Sequence, residues 1–340
     1  MSAAIEIAER RLGATDIRLP VLGFGAAPIG NLYTEVTDDE AMRAIGVALE
    51  KGIRYFDTAP YYGYGLSESR LGQGLKGVSR DSVRISTKVG RRIYEDTTRK
   101  PGQEGFAVAG YKAEFDYSRD GVMRSFESSL KRLGTDHVDI LLLHDIGRLT
   151  HGDRHPVLLR QALDEALPAM AELKSSGACG AIGIGVNEED IAVELLPLFP
   201  LDCVMLAGRY TLLEQHASRR IMHEAQARNV GILVAGPYSS GLMGDARAPG
   251  STYNYAPVEP EVLQRAQRIY AICAEHGVDA GAAALQFPLA HPAVTSVVAG
   301  MRNTEEATSA SLRYRADLPA EFWQRLRAEG LTQDWARTPE

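Results

Sequence analysis

Five side chains in the first half of the chain are of types that move protons or hold charge: Asp57, Tyr61, Tyr62, Lys88 and His144. Asp57 closes the apolar run IRYFD, Lys88 the run VRISTK and His144 the run VDILLLH, and the two tyrosines follow the aspartate in DTAPYYGYG. A phenol ionises near pH ~10 and is a poor acid or base at neutral pH until a neighbouring ammonium favours the phenolate. Lys88 is the candidate ammonium, with Asp57 as the salt partner that holds it and His144 as an imidazole nearby. Taken singly, the aspartate reads as a strand-end cap, the lysine as a solvated cation and the histidine as a hydrogen-bonded structural residue. An acid, a base and an imidazole at three successive strand ends, with phenols beside them, point instead to proton transfer. Spacing alone leaves open which tyrosine carries it.

For those strand ends to meet, the strands must lie side by side. Eight short apolar runs are spaced along the chain, at 21–25, 53–57, 83–88, 138–144, 181–186, 203–207, 231–235 and 295–300. Amphipathic segments separate them. The clearest is TDDEAMRAIGVALEKG, in which Thr37 and Glu40 form a capping box, Gly52 supplies the stop, and Met42, Ile45, Val47 and Leu49 make an apolar face. Further helices are expected at 120–133, 164–175, 188–198, 217–228, 259–276 and 304–313, with a hairpin about Ala14 to Asp16 before the first unit. Near-continuous apolar strands alternating with helices are the pattern of a parallel sheet covered by helices. Eight units predict closure into an α/β fold of the (β/α)8 TIM-barrel type, one domain spanning 1–340, with an open doubly wound sheet as the alternative. In a barrel the carboxyl ends of the strands converge on one mouth. The long connections 89–119 and 236–258 both follow strands and would lie there as lids or binding loops.

Composition narrows the function classes. The chain is 45% hydrophobic and 24% charged, enough for a large core, and its net charge of −7 supplies no attraction for nucleic acid. The opening stretch MSAAIEIAERRLG carries acids where a secretory signal needs an apolar core, and no later run approaches the ~20 apolar residues of a membrane span. A cytoplasmic protein without membrane or nucleic-acid partners is expected. Cys179, Cys203 and Cys273 are widely spaced and form no zinc pattern, so they read as reduced core thiols. No GxGxxG follows a strand, which leaves a Rossmann nucleotide site without its fingerprint.

DTAPYYG, the lysine in STKVG and the histidine in LLLHD together resemble the aldo-keto reductase family, and the resemblance runs from LGFGAAPIGN to GMRNTEEA. It implies the barrel fold, a nicotinamide cofactor, and a catalytic set of Asp57, Tyr62, Lys88 and His144, with Tyr61 as the neighbour that lines the pocket. FDYSRDGVMRSFESSLKRLG, AGRYTLLEQ and YNYAP are similar to the branch of bacterial D-threo-aldose (L-fucose) 1-dehydrogenases and pyridoxal 4-dehydrogenases, which oxidise a cyclic hemiacetal to a lactone. The resemblance places Gly25 and Ala26 near the nicotinamide, Asn187 on its carboxamide, and Ser239, Ser240, Gly241 and Leu242 along the pyrophosphate through backbone N–H groups. Asn187 also reads as a helix N-cap.

This chain departs from that pattern where many relatives carry Ser-Asn, here Gly185-Val186-Asn187, and where they carry a glutamine and a stacking aromatic, near Ala207 and Ala235. Gly300 and Glu306 stand where NADPH-dependent relatives place a lysine and an arginine. A carboxylate repels a 2′-phosphate but accepts hydrogen bonds from a free ribose, so NAD is expected over NADP, with Arg302 nearby as the opposing charge. The substrate is expected to be a small sugar or other hemiacetal contacted by Tyr61, Asp145, Arg209 and Tyr210, with Tyr253 and Tyr255 on a lid. Arg209 also reads as a strand-end arginine paired to the scaffold. The rival readings are NADPH-dependent reduction of aldehydes or ketones by the same four residues, and a cofactor-binding regulatory subunit.

Overall fold

A computed structural model describes residues 6–244, 252–253 and 256–339. Eight parallel strands close into a barrel: β3 (Leu22–Gly25), β4 (Tyr55–Asp57), β5 (Arg84–Val89), β8 (Val138–His144), β9 (Cys179–Val186), β10 (Cys203–Ala207), β11 (Gly231–Ala235) and β14 (Val294–Gly300), the last pairing with the first. Every apolar run expected to be a strand is one of these. The closed arrangement replaces the open-sheet alternative.

An antiparallel hairpin of β1 (Glu9–Arg11) and β2 (Arg18–Pro20) precedes the barrel. Its Leu12 and Leu19 are fully buried in one cluster with Tyr55, Ile140, Leu142, Cys203, Met205 and Leu233, side chains that fill the barrel interior. The hairpin therefore plugs the barrel at the end opposite the mouth. Arg10 fastens it by donating to the Val294 carbonyl at 2.8 Å. The three cysteines are buried and free.

Helices cover the outside. Helix α1 (Asp38–Glu50) starts at the expected capping box, with Thr37 accepting from the Glu40 amide and Glu40 accepting from that of Thr37, and it buries Ala41, Ala44, Ile45 and Ala48. Helix α2 (Leu66–Gly74) has no counterpart in the sequence expectation, because its inward face is polar: Ser67, Glu68 and Arg70 are buried. Each is satisfied. Glu68 accepts from Thr87 at 2.6 Å and pairs with Arg132 at 2.7 Å, which ties α2 to β5 and to α3 (Arg119–Leu133). Arg70 donates to the Ile29 and Val36 carbonyls and to Asn31 and Asp38, pinning the loop after β3. Helices at Ala280–Gln286 and Ala320–Ala328 also lie outside the sequence expectation.

The connection 89–119 contains a hairpin, β6 (Arg91–Glu95) with β7 (Tyr111–Phe115), and stands at the mouth as expected. In the second long connection, Thr252–Tyr253 (β12) pairs with Ala256–Pro257 (β13); Tyr255 lies outside the described residues. No helix among the described residues is long and apolar enough to cross a membrane.

Candidate active site

Asp57 ends β4 and pairs in register with Ser86 of β5, two residues before Lys88, so both charged side chains point into the barrel beneath its mouth. Lys88 Nζ donates to both Asp57 oxygens, at 2.9 and 2.8 Å, and to the Thr58 carbonyl at 2.9 Å. Both residues are almost fully buried, 2% and 3% exposed. Removing either partner would strand a charge in a site with little water, a loss of about 3–5 kcal/mol.

The turn after β4 decides which phenol meets this pair. Gly63 takes φ +64°, and a Cβ there would lie 2.3 Å from the Gly30 carbonyl oxygen; a Cβ on Gly30 would in turn meet the Tyr62 carbonyl at 2.8 Å. Two bare glycines let the loop after β3 press on the turn and set Tyr62 over the lysine, whose Nζ is 4.7 Å from the ring centroid. Tyr61 faces elsewhere: its ring packs on the Arg91 guanidinium at 3.9 Å and edge-on to Phe106 at 5.2 Å. The glycines around the paired tyrosines thus serve to give two adjacent phenols different surroundings. His144, at the end of β8, stands 6.0 Å from the Tyr62 ring and 6.2 Å from that of Tyr61.

Burial pushes the Tyr62 phenol above the ordinary tyrosine range; Lys88 pulls it down and Asp57 pushes it up. The expected lowering by Lys88 is present as an opposing pull, but burial outweighs it. Burial alone would lower Lys88, and the Asp57 carboxylate with Tyr62 holds it above its usual value instead. The site therefore keeps the lysine charged. Burial drives His144 down to about 3, only partly offset by Asp145, so its imidazole is neutral at any ordinary pH. Its Nδ1 is buried with no partner among the described residues.

Beside His144 lies a polar wall that the sequence reading reached only in part. Asp145 adopts φ +52°, a strained value for a residue with a Cβ, and this turns its carboxylate back over the strand end. Arg91 pairs with that carboxylate, Asn187 donates to it at 3.1 Å, and His144 Nε2 is 3.5 Å away. Tyr117 clamps the strained turn: its hydroxyl lies 2.9 and 3.1 Å from the carbonyl oxygens of His144 and Asp145, which share its one proton. Arg91 and Phe106 were missed. A basic pair directly after the Lys88 strand was a signal for the first; Phe106, alone in a glycine-bearing loop, gave none.

Other expected contacts are corrected. Tyr210 cannot line the mouth, because it is fully buried between Phe287, His291 and Trp335. Arg209 has the scaffold-paired arrangement, 3.5 Å from Glu189, which Ser218 also contacts. Asn187 is no N-cap, since the next helix begins at Asp190 with Glu189 before it.

The amides of Ser239, Gly241 and Leu242 are spent on carbonyls of their own turn, so the expected backbone cradle for a pyrophosphate is not formed there. Of that run only the Ser240 N–H has no backbone acceptor among the described residues. The Ser239 hydroxyl is buried, 3.3 Å from that of Thr211, and the Leu242 side chain is buried as well. Glu306 accepts from the Arg302 amide at 2.8 Å and pairs with its guanidinium at 2.9 Å, so these two opposing charges face each other.

Comparison with known proteins agrees with this geometry. Residues 21–329 match the Aldo/keto reductase family. The chain is 39% identical over 337 residues to a pyridoxal 4-dehydrogenase of Microbacterium luteolum, covering 95% of this chain and 97% of that protein. It is 37% identical over 324 residues to a D-threo-aldose 1-dehydrogenase of a Pseudomonas species, covering 94% and 96%. Among solved structures, an aldo-keto reductase of Bacillus halodurans in its holo form superposes with a TM-score of 0.75 at 26% identity, covering 97% of this chain and 98% of that one. With the closed barrel and these matches along almost its whole length, the chain belongs to the aldo/keto reductase family of nicotinamide-dependent oxidoreductases.

Proposed function

We propose that this protein oxidises the C1 hemiacetal of a small aldose, of the L-fucose, L-galactose or D-arabinose type, to its lactone, with NAD preferred over NADP. The observation that carries the sugar reading is the polar wall at His144: Asp145, Asn187 and Arg91 converge beside it and offer both acceptors and donors. A buried hydroxyl needs a partner, and a site built of such partners rejects an epimer that leaves one unpaired.

The residues at the mouth fit a nicotinamide cofactor. Ala207 and Ala235 are register partners, so two adjoining strand ends present only methyl groups, and Gly25 pairs with Gly300 on the next two strands. This leaves a bare ledge along four successive strand ends of the mouth. Gly25 and Asn187 would hold the nicotinamide end, Ser240 the pyrophosphate, and Gly300, Arg302 and Glu306 the ribose; the expected Ala26 contact is corrected, because that residue is fully buried with its amide on the Asp57 carbonyl and its own carbonyl on Ser67. When bound, the cofactor would supply the acceptor for the hydride that leaves C1. Tyr62 takes the proton of the anomeric hydroxyl, Lys88 stabilises the phenolate that this requires, and Asp57 fixes Lys88. Neutral His144 orients the hydroxyl and polarises the developing carbonyl. Tyr61 and Asp145 line the sugar's side of the pocket.

A second reading, pyridoxal oxidation, is favoured by the aromatic side of the mouth, where Phe106 packs on Tyr61, Tyr62 and Tyr64 with centroids 5.2–6.2 Å apart. The test is formation of reduced cofactor across L-fucose, L-galactose, D-arabinose, their epimers and pyridoxal, with the lactone identified. Oxidation of one aldose and not of its epimer is expected. Oxidation of pyridoxal alone would move the assignment to the second reading, and rapid reduction of simple aldehydes with no oxidation would overturn both.

A further inference from the structure

Beneath the Asp57–Lys88 pair, two more polar side chains face the barrel interior where apolar ones would pack as well. Tyr55 and Asp57 alternate along β4 and so share a face; Ser86 and Lys88 do the same on β5, and Asp57 is in register with Ser86. The Ser86 hydroxyl donates to Asp57 Oδ1 at 2.7 Å, and the Tyr55 hydroxyl is 2.9 Å from Ser86 Oγ. The direction of the chain follows from the donors. A carboxylate only accepts, so the single Ser86 proton points at Asp57, and Tyr55 must donate to Ser86. Tyr55 and Ser86 are fully buried, so no water replaces either bond.

We propose that Ser86 and Tyr55 are positioning residues of the proton-transfer site, which orient the Asp57 carboxylate and draw off part of its charge so that Lys88 keeps its field for Tyr62. This rests on the reading that Tyr62 transfers the proton, and on no particular substrate. Oδ1 accepts from both Lys88 and Ser86, whereas Oδ2 accepts from Lys88 at 2.8 Å. A hydrogen bond to the charged form spreads its charge. Without the serine donor, the carboxylate binds the ammonium harder, and less of the positive field reaches the phenol. Tyr55 acts one bond further back, by polarising the serine hydroxyl. The chain therefore runs from Tyr55 through Ser86, Asp57 and Lys88 to Tyr62.

Ser86→Ala removes the donor and one oxygen without overfilling the barrel. Its oxidation rate should follow an apparent pKa about 0.5–1 unit above that of the parent protein, and Tyr55→Phe should shift it less in the same direction. Ser86→Thr keeps the hydroxyl and should restore the original profile. Running the pH series on oxidation of an aldose and on reduction of a simple aldehyde, whose rate falls where oxidation rises because it needs the protonated Tyr62, keeps the result independent of the substrate assignment. A second readout needs no turnover. In the cofactor-free protein, the ¹³Cζ resonance of Tyr62, identified by its loss in Tyr62→Phe, should report less phenolate in Ser86→Ala at each alkaline pH. A uniform loss of rate at every pH, with superimposable profiles and superimposable resonances, would make Ser86 a packing residue and overturn the proposal.

Discussion

Tyr61 and Tyr62 are neighbours in sequence with opposite surroundings, one against an arginine and the other over a lysine, and this separates their expected roles. Acid–base groups contribute roughly 10²–10⁴-fold, so Tyr62→Phe should cut kcat by at least about 100-fold, while Tyr61→Phe should mainly raise KM. Steady-state kinetics of both variants on one substrate checks this, and a dead Tyr61→Phe beside a working Tyr62→Phe would reverse the assignment. The pH profile follows from the same surroundings. Oxidation needs the phenolate, and because burial holds the Tyr62 phenol above its usual range, the oxidation rate should still be climbing at about pH 9. His144, neutral above about 3, should add no step between pH 5 and 8. An inflection near pH 6.5 that vanished in a His144 variant would contradict this. Asp57, Lys88 and His144 were legible in the sequence because each closes an apolar run, and the resemblance chose between the tyrosines. Arg91 left only a basic pair as its signal, since its partner Asp145 is met through a hairpin folded over the mouth.

Among the elements, strands were legible and polar-faced helices were not. The barrel strands are buried on both faces and therefore read as continuous apolar runs. Helix α2 buries a glutamate, an arginine and a serine, which erases the amphipathic period by which a helix is recognised. The wrongly expected contacts share a cause of their own: Tyr210 and the Ser239–Leu242 turn stand at the right place along the chain, but the Tyr210 ring is packed inward and the amides of Ser239, Gly241 and Leu242 bond within their own turn. On the proposed reading the start of the helix Thr304–Arg315 governs cofactor choice; there Asn303 caps the helix by accepting from the Glu306 amide while Glu306 neutralises Arg302. Glu306→Arg removes that carboxylate, releases Arg302 and adds a second cation. The ratio of kcat/KM for NADP to that for NAD should rise about tenfold or more, through charge-assisted bonds to the 2′-phosphate. A wild-type protein that already favours NADP strongly would defeat the NAD reading.

At the scale of the whole molecule, the first and last strands of the barrel meet at its seam. β3 pairs with β14, Ser296 donates to the Pro20 carbonyl at 2.7 Å, and the plugging hairpin is held by the Val294 carbonyl across 284 residues of sequence. As the polypeptide leaves the ribosome, Leu12 and Leu19 emerge before any barrel strand, yet the seam they finally rest against is completed only after β14 has been made. The hairpin must wait, apolar and unhoused, while all eight barrel strands are made. Closure over such a separation is slow, and contacts that form at that last step are absent from the transition state. Leu12→Ala or Leu19→Ala should therefore cost about 2–5 kcal/mol, and the cost should appear almost wholly as faster unfolding, with the refolding rate little changed in stopped-flow measurements. A refolding rate slowed in proportion to the lost stability would instead make the hairpin an early nucleus. If the cost falls on unfolding, the plug is a latch: it sets how long a finished molecule lasts and has no part in finding the fold.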